Sequence, residues 1–224
     1  MNGELDAAAV AARRCMQRAA FRVSVPEARL LPADSGREIV FAGRSNSGKS
    51  SAINVLCNQR QLARTSRTPG RTQHLVVFDI DADRRLIDLP GFGYAKVPKG
   101  MRALWEKTLP RYLETRQALI GVVLLMDVRH VLRPVEQQLL GWCSESGVSA
   151  HILLNKSDKL SRGAAQSARL EVERYIKQNS LRGASVQLFS ALRFQGLEQA
   201  WTVIGEWLSL EDKADPGCGA GGSG

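Results

Sequence analysis

The octapeptide Gly43-Arg44-Ser45-Asn46-Ser47-Gly48-Lys49-Ser50 fits the pattern G-x-x-x-x-G-K-[ST]. An apolar, strand-like run, Ile39-Val40-Phe41-Ala42, precedes it, and a helix-like start, Ser51-Ala52-Ile53-Asn54-Val55-Leu56, follows. Glycines at 43 and 48 let the backbone turn tightly and approach an anion. Successive N–H groups and the N-terminus of the next helix then face phosphate. Lys49 would reach the β and γ phosphates as a point charge, and the Ser50 hydroxyl would ligate magnesium. The stretch predicts a nucleoside triphosphate site on a strand-loop-helix unit.

Working outward, three further stretches fit the same site. Arg85-Leu86-Ile87-Asp88-Leu89-Pro90-Gly91 is an apolar strand ending in an acid and a turn glycine. Asp88 can hold a magnesium-bound water, and the Gly91 amide can hydrogen-bond a γ phosphate, so the turn can sense that group. Leu89 and Pro90 form the turn between them. Asn155-Lys156-Ser157-Asp158 follows a strand-like run, His151-Ile152-Leu153-Leu154. The Asp158 carboxylate can accept from N1–H and the exocyclic amine of guanine, whereas adenine has no donor at either place and would leave the carboxylate unpaired. Phe189-Ser190-Ala191 closes another strand, Ser185-Val186-Gln187-Leu188, and the Ala191 amide could donate to guanine O6. Alone, Ser-Ala after a strand is commonplace; its order after the other three is what gives it weight.

Strands are predicted near residues 38–43, 75–80, 85–89, 121–127, 150–155 and 185–190, with helices near 49–58, 100–116, 134–146, 161–179 and 196–209. Only Asp81-Ala82-Asp83-Arg84 separates the second strand from the third, so these two form an antiparallel hairpin. The expected fold is α/β of the P-loop NTPase type: a mostly parallel six-stranded sheet with one antiparallel edge strand and helices on both faces, its ligand contacts along the carboxyl ends of the strands. Residues 1–20 are expected to be an N-terminal extension, either a short exposed helix or disordered. Residues 21–210 form the nucleotide-binding domain, and 211–224 a Gly-rich disordered tail.

With four motifs in order, the chain resembles the EngB family of bacterial ribosome-biogenesis GTPases. The resemblance is carried by GRSNSGKS (Gly43 to Ser50), TPGRTQ (Thr68 to Gln73), DLPGFGYAKV (Asp88 to Val97) and MDVRH (Met126 to His130), and it runs from about Phe21 to Leu208. Departures are Ser47 where the family usually has Val, Asn155 where Thr is common, and Phe92 for a frequent Tyr. The resemblance implies GTP and GDP as ligands and magnesium as the metal. Gly70, Arg71, Thr72, Gln73 and His74 fall in the first switch. There Thr72 would close on magnesium beside Ser50 and Asp88, and loss of the γ phosphate would release it. It also implies the large ribosomal subunit as partner, through rRNA, ribosomal protein or both, and a requirement for normal cell division and septation.

The catalytic assignment rests on Lys49, Thr72, Gly91 and Asn46. Many GTPases orient the attacking water with a glutamine after the D-x-x-G glycine, but here that residue is Phe92, so intrinsic hydrolysis is expected to be slow. Two readings of Asn46 stand side by side. It matches an asparagine with which related GTPases hold a potassium ion at the β/γ bridge, or it stabilises the loop by side-chain to backbone hydrogen bonds. Arg71 is a weaker candidate for an arginine finger in cis. Tyr94 and Lys96 are read as partner contacts.

The net charge is +9, and Arg60, Arg64, Arg67 and Arg71 crowd the segment from Asn58 to Gln73. Contact with RNA phosphate and shape is expected there, without base stacking, since no aromatic residue is interleaved. Cys15, Cys57, Cys143 and Cys218 lie far apart with no C-x-x-C spacing, which argues against zinc and disulfides. The longest apolar stretch, Ile120 to Met126, is too short to span a bilayer, and a cytoplasmic monomer is expected. Two other function classes remain. A nucleotide kinase would leave Asn155-Lys156-Ser157-Asp158 unexplained, and a division factor acting at a septum or membrane has no residue-level support.

Overall fold

The computed structural model describes residues 7–63, 74–92 and 109–209. Among the described residues seven strands form one sheet: β1 (Ala20–Val25), β2 (Arg37–Gly43), β3 (Leu75–Asp79), β4 (Arg84–Asp88), β5 (Leu119–Asp127), β6 (Ser149–Asn155) and β7 (Ala184–Leu188), in the order β1-β3-β4-β2-β5-β6-β7. β2 lies between β4 and β5, parallel to both, and β6 and β7 continue the parallel run. β3 is antiparallel to β4, with Val77 opposite Ile87, which is the expected hairpin.

The α/β architecture stands as expected, with two corrections. The sheet has seven strands rather than six, because β1 pairs antiparallel with the outer side of β3. That strand escapes a reading of hydrophobic pattern because it is an edge: of its six residues only Val25 is buried. The second correction concerns the N-terminus, where residues 7–16 are neither disordered nor an exposed helix. They form α1 (Ala7–Met16), which buries Ala9, Ala12, Cys15 and Met16. Small residues permit a close approach to the last helix, α6 (Leu197–Trp207), where a Cβ on Gly205 would lie 3.1 Å from Ala12 Cβ and 3.2 Å from the Ala8 carbonyl. The expected tail lies outside the described residues, as does most of the helix expected near 100–116, of which α3 (Leu109–Thr115) is seen.

Alternation along β2 builds a core on each face. Ile39 and Phe41 pack with Leu86, Val123 and Leu153 under α1, α6 and α2 (Lys49–Leu56). Val40 and Ala42 pack with Ile87, Val122, Leu124 and Ile152 under α3, α4 (Pro134–Glu145) and α5 (Arg162–Gln178). At the end of the sheet where β2 starts, the buried Glu38 carboxylate accepts from Tyr112 Oη at 3.0 Å and from Arg116 Nη2 at 2.5 Å, with Arg85 Nη1 at 3.4 Å. This cluster ties α3 to β2 and β4.

A buried polar chain joins β6 to β7. Gln187 Nε2 donates to the Gly196 carbonyl at 2.7 Å, leaving Gln187 Oε1 to accept from His151 Nε2 at 2.8 Å. In the neutral ring that burial favours, the proton sits on Nε2 and His151 Nδ1 accepts from the Ser185 hydroxyl at 2.7 Å. Burial holds the His151 pKa below the ordinary histidine value, against an opposing pull from Gln187. Below about pH 6.5 the unfolded chain therefore binds a proton that the folded chain resists, and stability falls as the pH drops. Thermal unfolding at about pH 7.5 and about pH 5.5 should show this loss, and His151→Gln should reduce the pH dependence.

Candidate nucleotide-binding site

The parallel register sets the carboxyl ends of β2, β4, β5 and β6 along one edge, where Gly43, Asp88, Asp127 and Asn155 end their strands. Beyond Gly43 the chain turns through Arg44, Ser45, Asn46 and Ser47 into α2. Asn46 and Gly48 take left-handed backbone conformations, at φ +67° and +90°. Asparagine tolerates that conformation among residues with a side chain. Gly48 is required twice over, since a Cβ there would also lie 2.2 Å from Asn155 Nδ2. A Cβ on Gly43 would meet the Leu125 carbonyl and Ser47 Oγ, each at 2.7 Å. Lys49 and Ser50 open α2, so the first-turn amides face the loop's concave side.

The loop is braced from both sides. On the β4 side, the Ser45 amide donates to the Phe92 carbonyl at 2.9 Å, and the Phe92 amide to the Gly43 carbonyl at 3.3 Å. Gly91 fits against this contact: a Cβ there would stand 3.1 Å from the Ser45 nitrogen. Leu89 and Phe92 are buried, and the Phe92 ring packs into the core. Lys49 Nζ is paired with Asp88 Oδ1, both side chains largely buried. On the β6 side, Asn155 Nδ2 donates to the Ser47 carbonyl at 2.8 Å, and Lys156 Nζ to the Asn46 carbonyl at 2.6 Å.

Asn155 also reaches the loop after β7, where its Oδ1 accepts from the Ala191 amide at 3.1 Å. The donor expected for guanine O6 is thus directed at Asn155, and a base carbonyl entering there would share it. Asp158 Oδ1 accepts from Ser190 Oγ at 2.6 Å. That hydrogen bond, aided by Lys159, holds the Asp158 carboxyl below its ordinary value and keeps it an acceptor at neutral pH. Ser157 donates its amide to the Phe189 carbonyl at 3.1 Å, which joins the two motifs along their backbones.

The structure thus brings together Gly43 to Ser50, Asp88 to Gly91, Asn155 to Asp158 and Phe189 to Ala191. His74 lies just before β3, its Nδ1 3.3 Å from Ser24 Oγ on β1. Gly70, Arg71, Thr72 and Gln73 lie outside the described residues, as do Arg64, Arg67, Tyr94 and Lys96. Asp127 and Arg129, given no role by the motif reading, belong to the site. Asp127 Oδ2 accepts from Lys156 Nζ at 2.9 Å and from Arg129 Nη2 at 2.7 Å. Burial would raise the Asp127 pKa, but Arg129 and Lys156 overcome it and hold the carboxyl well below the usual range. The signal was present in Asp127-Val128-Arg129, where an acid ends a strand two residues before a cation.

Magnesium fits the donors that are seen. Ser50 and Asp88 supply a hydroxyl and a carboxylate, hard oxygen ligands of the kind that leave room for water and phosphate. Among the described residues no group of three or more His, Cys, Asp or Glu forms an all-protein metal cage. No helix among them is long and apolar enough to cross a membrane.

Ser47 carries an orphan: its hydroxyl is buried and has no hydrogen-bond partner among the described residues. Leaving such a group unpaired costs about 1–3 kcal/mol. Ser47→Ala should therefore raise the urea midpoint of the nucleotide-free protein with the m-value unchanged.

A family model described as "50S ribosome-binding GTPase" matches residues 38–156. The chain is 51% identical over 197 residues to a probable GTP-binding protein EngB of Colwellia psychrerythraea, covering 88% of this chain and 87% of that one. It is also 51% identical over 187 residues to a probable GTP-binding protein EngB of Methylococcus capsulatus, covering 84% of this chain and 89% of that one. A crystal structure of a probable GTP-binding protein engB superimposes with a TM-score of 0.61 over 77% of this chain and 98% of its own, at 21% identity, and so shares the fold. Relatives 51% identical over most of their length, together with the matching family model, place this chain in the EngB family of GTP-binding proteins, with a GTPase domain.

Proposed function

We propose that the chain is a slow GTPase that works as a nucleotide-controlled assembly factor for the large ribosomal subunit. The observation that carries the guanine part is the Asp158 carboxylate, fixed by Ser190 and kept ionised beside Asn155 and Ala191. Support for the ribosomal part is the net charge of +9 and the ribosome-binding description of the matching family. The requirement for normal cell division follows as a consequence of ribosome supply. A cytoplasmic protein is the setting this role needs.

Each site residue has a part. Backbone amides from Arg44 to Lys49 cradle the phosphates, while Gly43 and Gly48 keep the space clear. Lys49 turns from Asp88 to the β and γ phosphates. Ser50, Asp88 and Thr72 would hold magnesium, which neutralises phosphate charge when bound. Gly91 offers its amide to the γ phosphate. Gly70, Arg71, Gln73 and His74 flank Thr72 in the segment that responds to that phosphate, and Leu89 and Pro90 carry the second. Lys156 and Asp158 take the base, with Ser157, Phe189, Ser190 and Ala191 shaping its pocket.

Hydrolysis is slow because Phe92 is turned into the core where other GTPases offer a water-orienting side chain. Asn46, exposed at the crest of the loop, would hold potassium there. Asp158→Asn should shift preference from guanine to xanthine nucleotides by inverting one acceptor to a donor, as measured by competition against a fluorescent GDP analogue. The role is tested by co-sedimentation with ribosomal subunits in GDP, in a non-hydrolysable GTP analogue and without nucleotide. Analogue-dependent, salt-sensitive binding to large subunits is expected, and nucleotide-independent or absent binding would refute it.

A further inference from the structure

The large apolar side chains exposed among the described residues are Phe21, Leu30, Leu170, Leu192 and Phe194. The last two share the loop that follows the guanine motif, at 65% and 66% exposure. The loop is closed from inside. Ser190 and Gln195 exchange backbone hydrogen bonds at 3.0 and 3.1 Å, the Arg193 amide donates to Ser190 Oγ at 3.1 Å, and Ser157 Oγ donates to Gln195 Oε1 at 3.0 Å. Phe194 sits in this tip at φ +56°, a left-handed conformation that bulky side chains rarely adopt. An aromatic ring held there and left in water gains nothing from the fold.

Phe194 also walls a shallow open groove at the start of α6, shared with Leu197, Glu198 and Trp201. The Arg13 guanidinium lies 5.5 Å from the centre of the Trp201 ring. Arg193 is exposed in the loop tip. Exposed Lys159 lies 3.6 Å from Asp158, the residue that accepts from Ser190. The surface is therefore an exposed ring and a leucine on either side of Arg193, with Glu198 at the groove, on a chain of net charge +9.

We propose that this loop and groove are a contact site for an unpaired RNA base, with Phe194 as the stacking face and Arg193 on the adjoining phosphate. Arg193, set between the two exposed apolar side chains, and the net charge of +9 favour an anionic partner over a protein one. Because Ser190 and Ala191 belong to the guanine site, RNA docking and the nucleotide share one loop. The identity of the RNA as ribosomal rests on the proposed function, but the contact itself does not.

Fluorescence anisotropy of a dye-labelled single-stranded RNA of about 12 nucleotides reads the contact directly. Phe194→Ala should weaken binding by about 5- to 150-fold, and Phe194→Trp should retain it. Arg193→Ala should weaken it and lower the salt slope by about one ion. Phe194→Asn removes the ring while suiting the left-handed backbone, so it should bind RNA as weakly as Phe194→Ala with GDP affinity unchanged. Undiminished RNA affinity in Phe194→Asn, or no RNA binding by the natural chain, overturns the proposal. So does a Phe194→Asn protein that binds RNA normally yet no longer sediments with large subunits, which would make the loop a protein contact. If the ring-dependent RNA contact is seen while the natural chain fails to sediment with large subunits, the ribosomal role fails and this contact stands.

Discussion

Asn155 spans the gap between two loops that are far apart in sequence. Its Nδ2 holds the Ser47 carbonyl and its Oδ1 the Ala191 amide, at 2.8 and 3.1 Å. The amide group serves as a donor on one side and an acceptor on the other, a pairing that a carboxylate or an amine could not supply. The brace lies over Gly48, where any side chain would collide with it, so the conformation of the phosphate loop and the position of the base site are set by one contact. Asp127, opposite Asn155 in the parallel register, extends the brace by holding Lys156 against Asn46.

Two lysines at this edge are each matched with an aspartate from a different strand end: Lys49 with Asp88, and Lys156 with Asp127. Buried or half-buried charges of this kind require partners, and removing one would leave the other exposed to a low dielectric. Parallel strands make the pairing possible, because every strand delivers its carboxyl end to the same side. The opposite end has its own charge cluster around Glu38, which anchors α3 through Tyr112 and Arg116. Ionic order thus bounds the two apolar cores above and below.

How those cores close depends on which surfaces are smooth. Gly121 leaves room for the Trp207 ring, whose atoms would come within 2.6 Å of a Cβ, and Trp207 in turn meets His151 edge-on at 6.5 Å. Gly205 does the same for α1. Neither glycine needs an unusual backbone; each is a matter of distance between elements.

The sequence by itself determined the P-loop, its order relative to the acid-turn-glycine, the base motif and Ser190-Ala191, and the β3–β4 hairpin. These follow from local rules, since glycine, charge and apolar alternation act within a few residues. The guanine assignment was legible for the same reason, as it needs only an acceptor at Asp158. Only the tertiary structure decided that β1 extends the sheet and that α1 is buried, because an edge strand and an alanine stripe have little apolar signal until a partner covers them. It also decided that Asp127 and Arg129 clamp Lys156, that the Ala191 amide is turned to Asn155, and that Phe92 faces inward. Each of these is a meeting of residues distant in the chain, and a hydrogen bond or a buried ring is defined by where the partner stands in space.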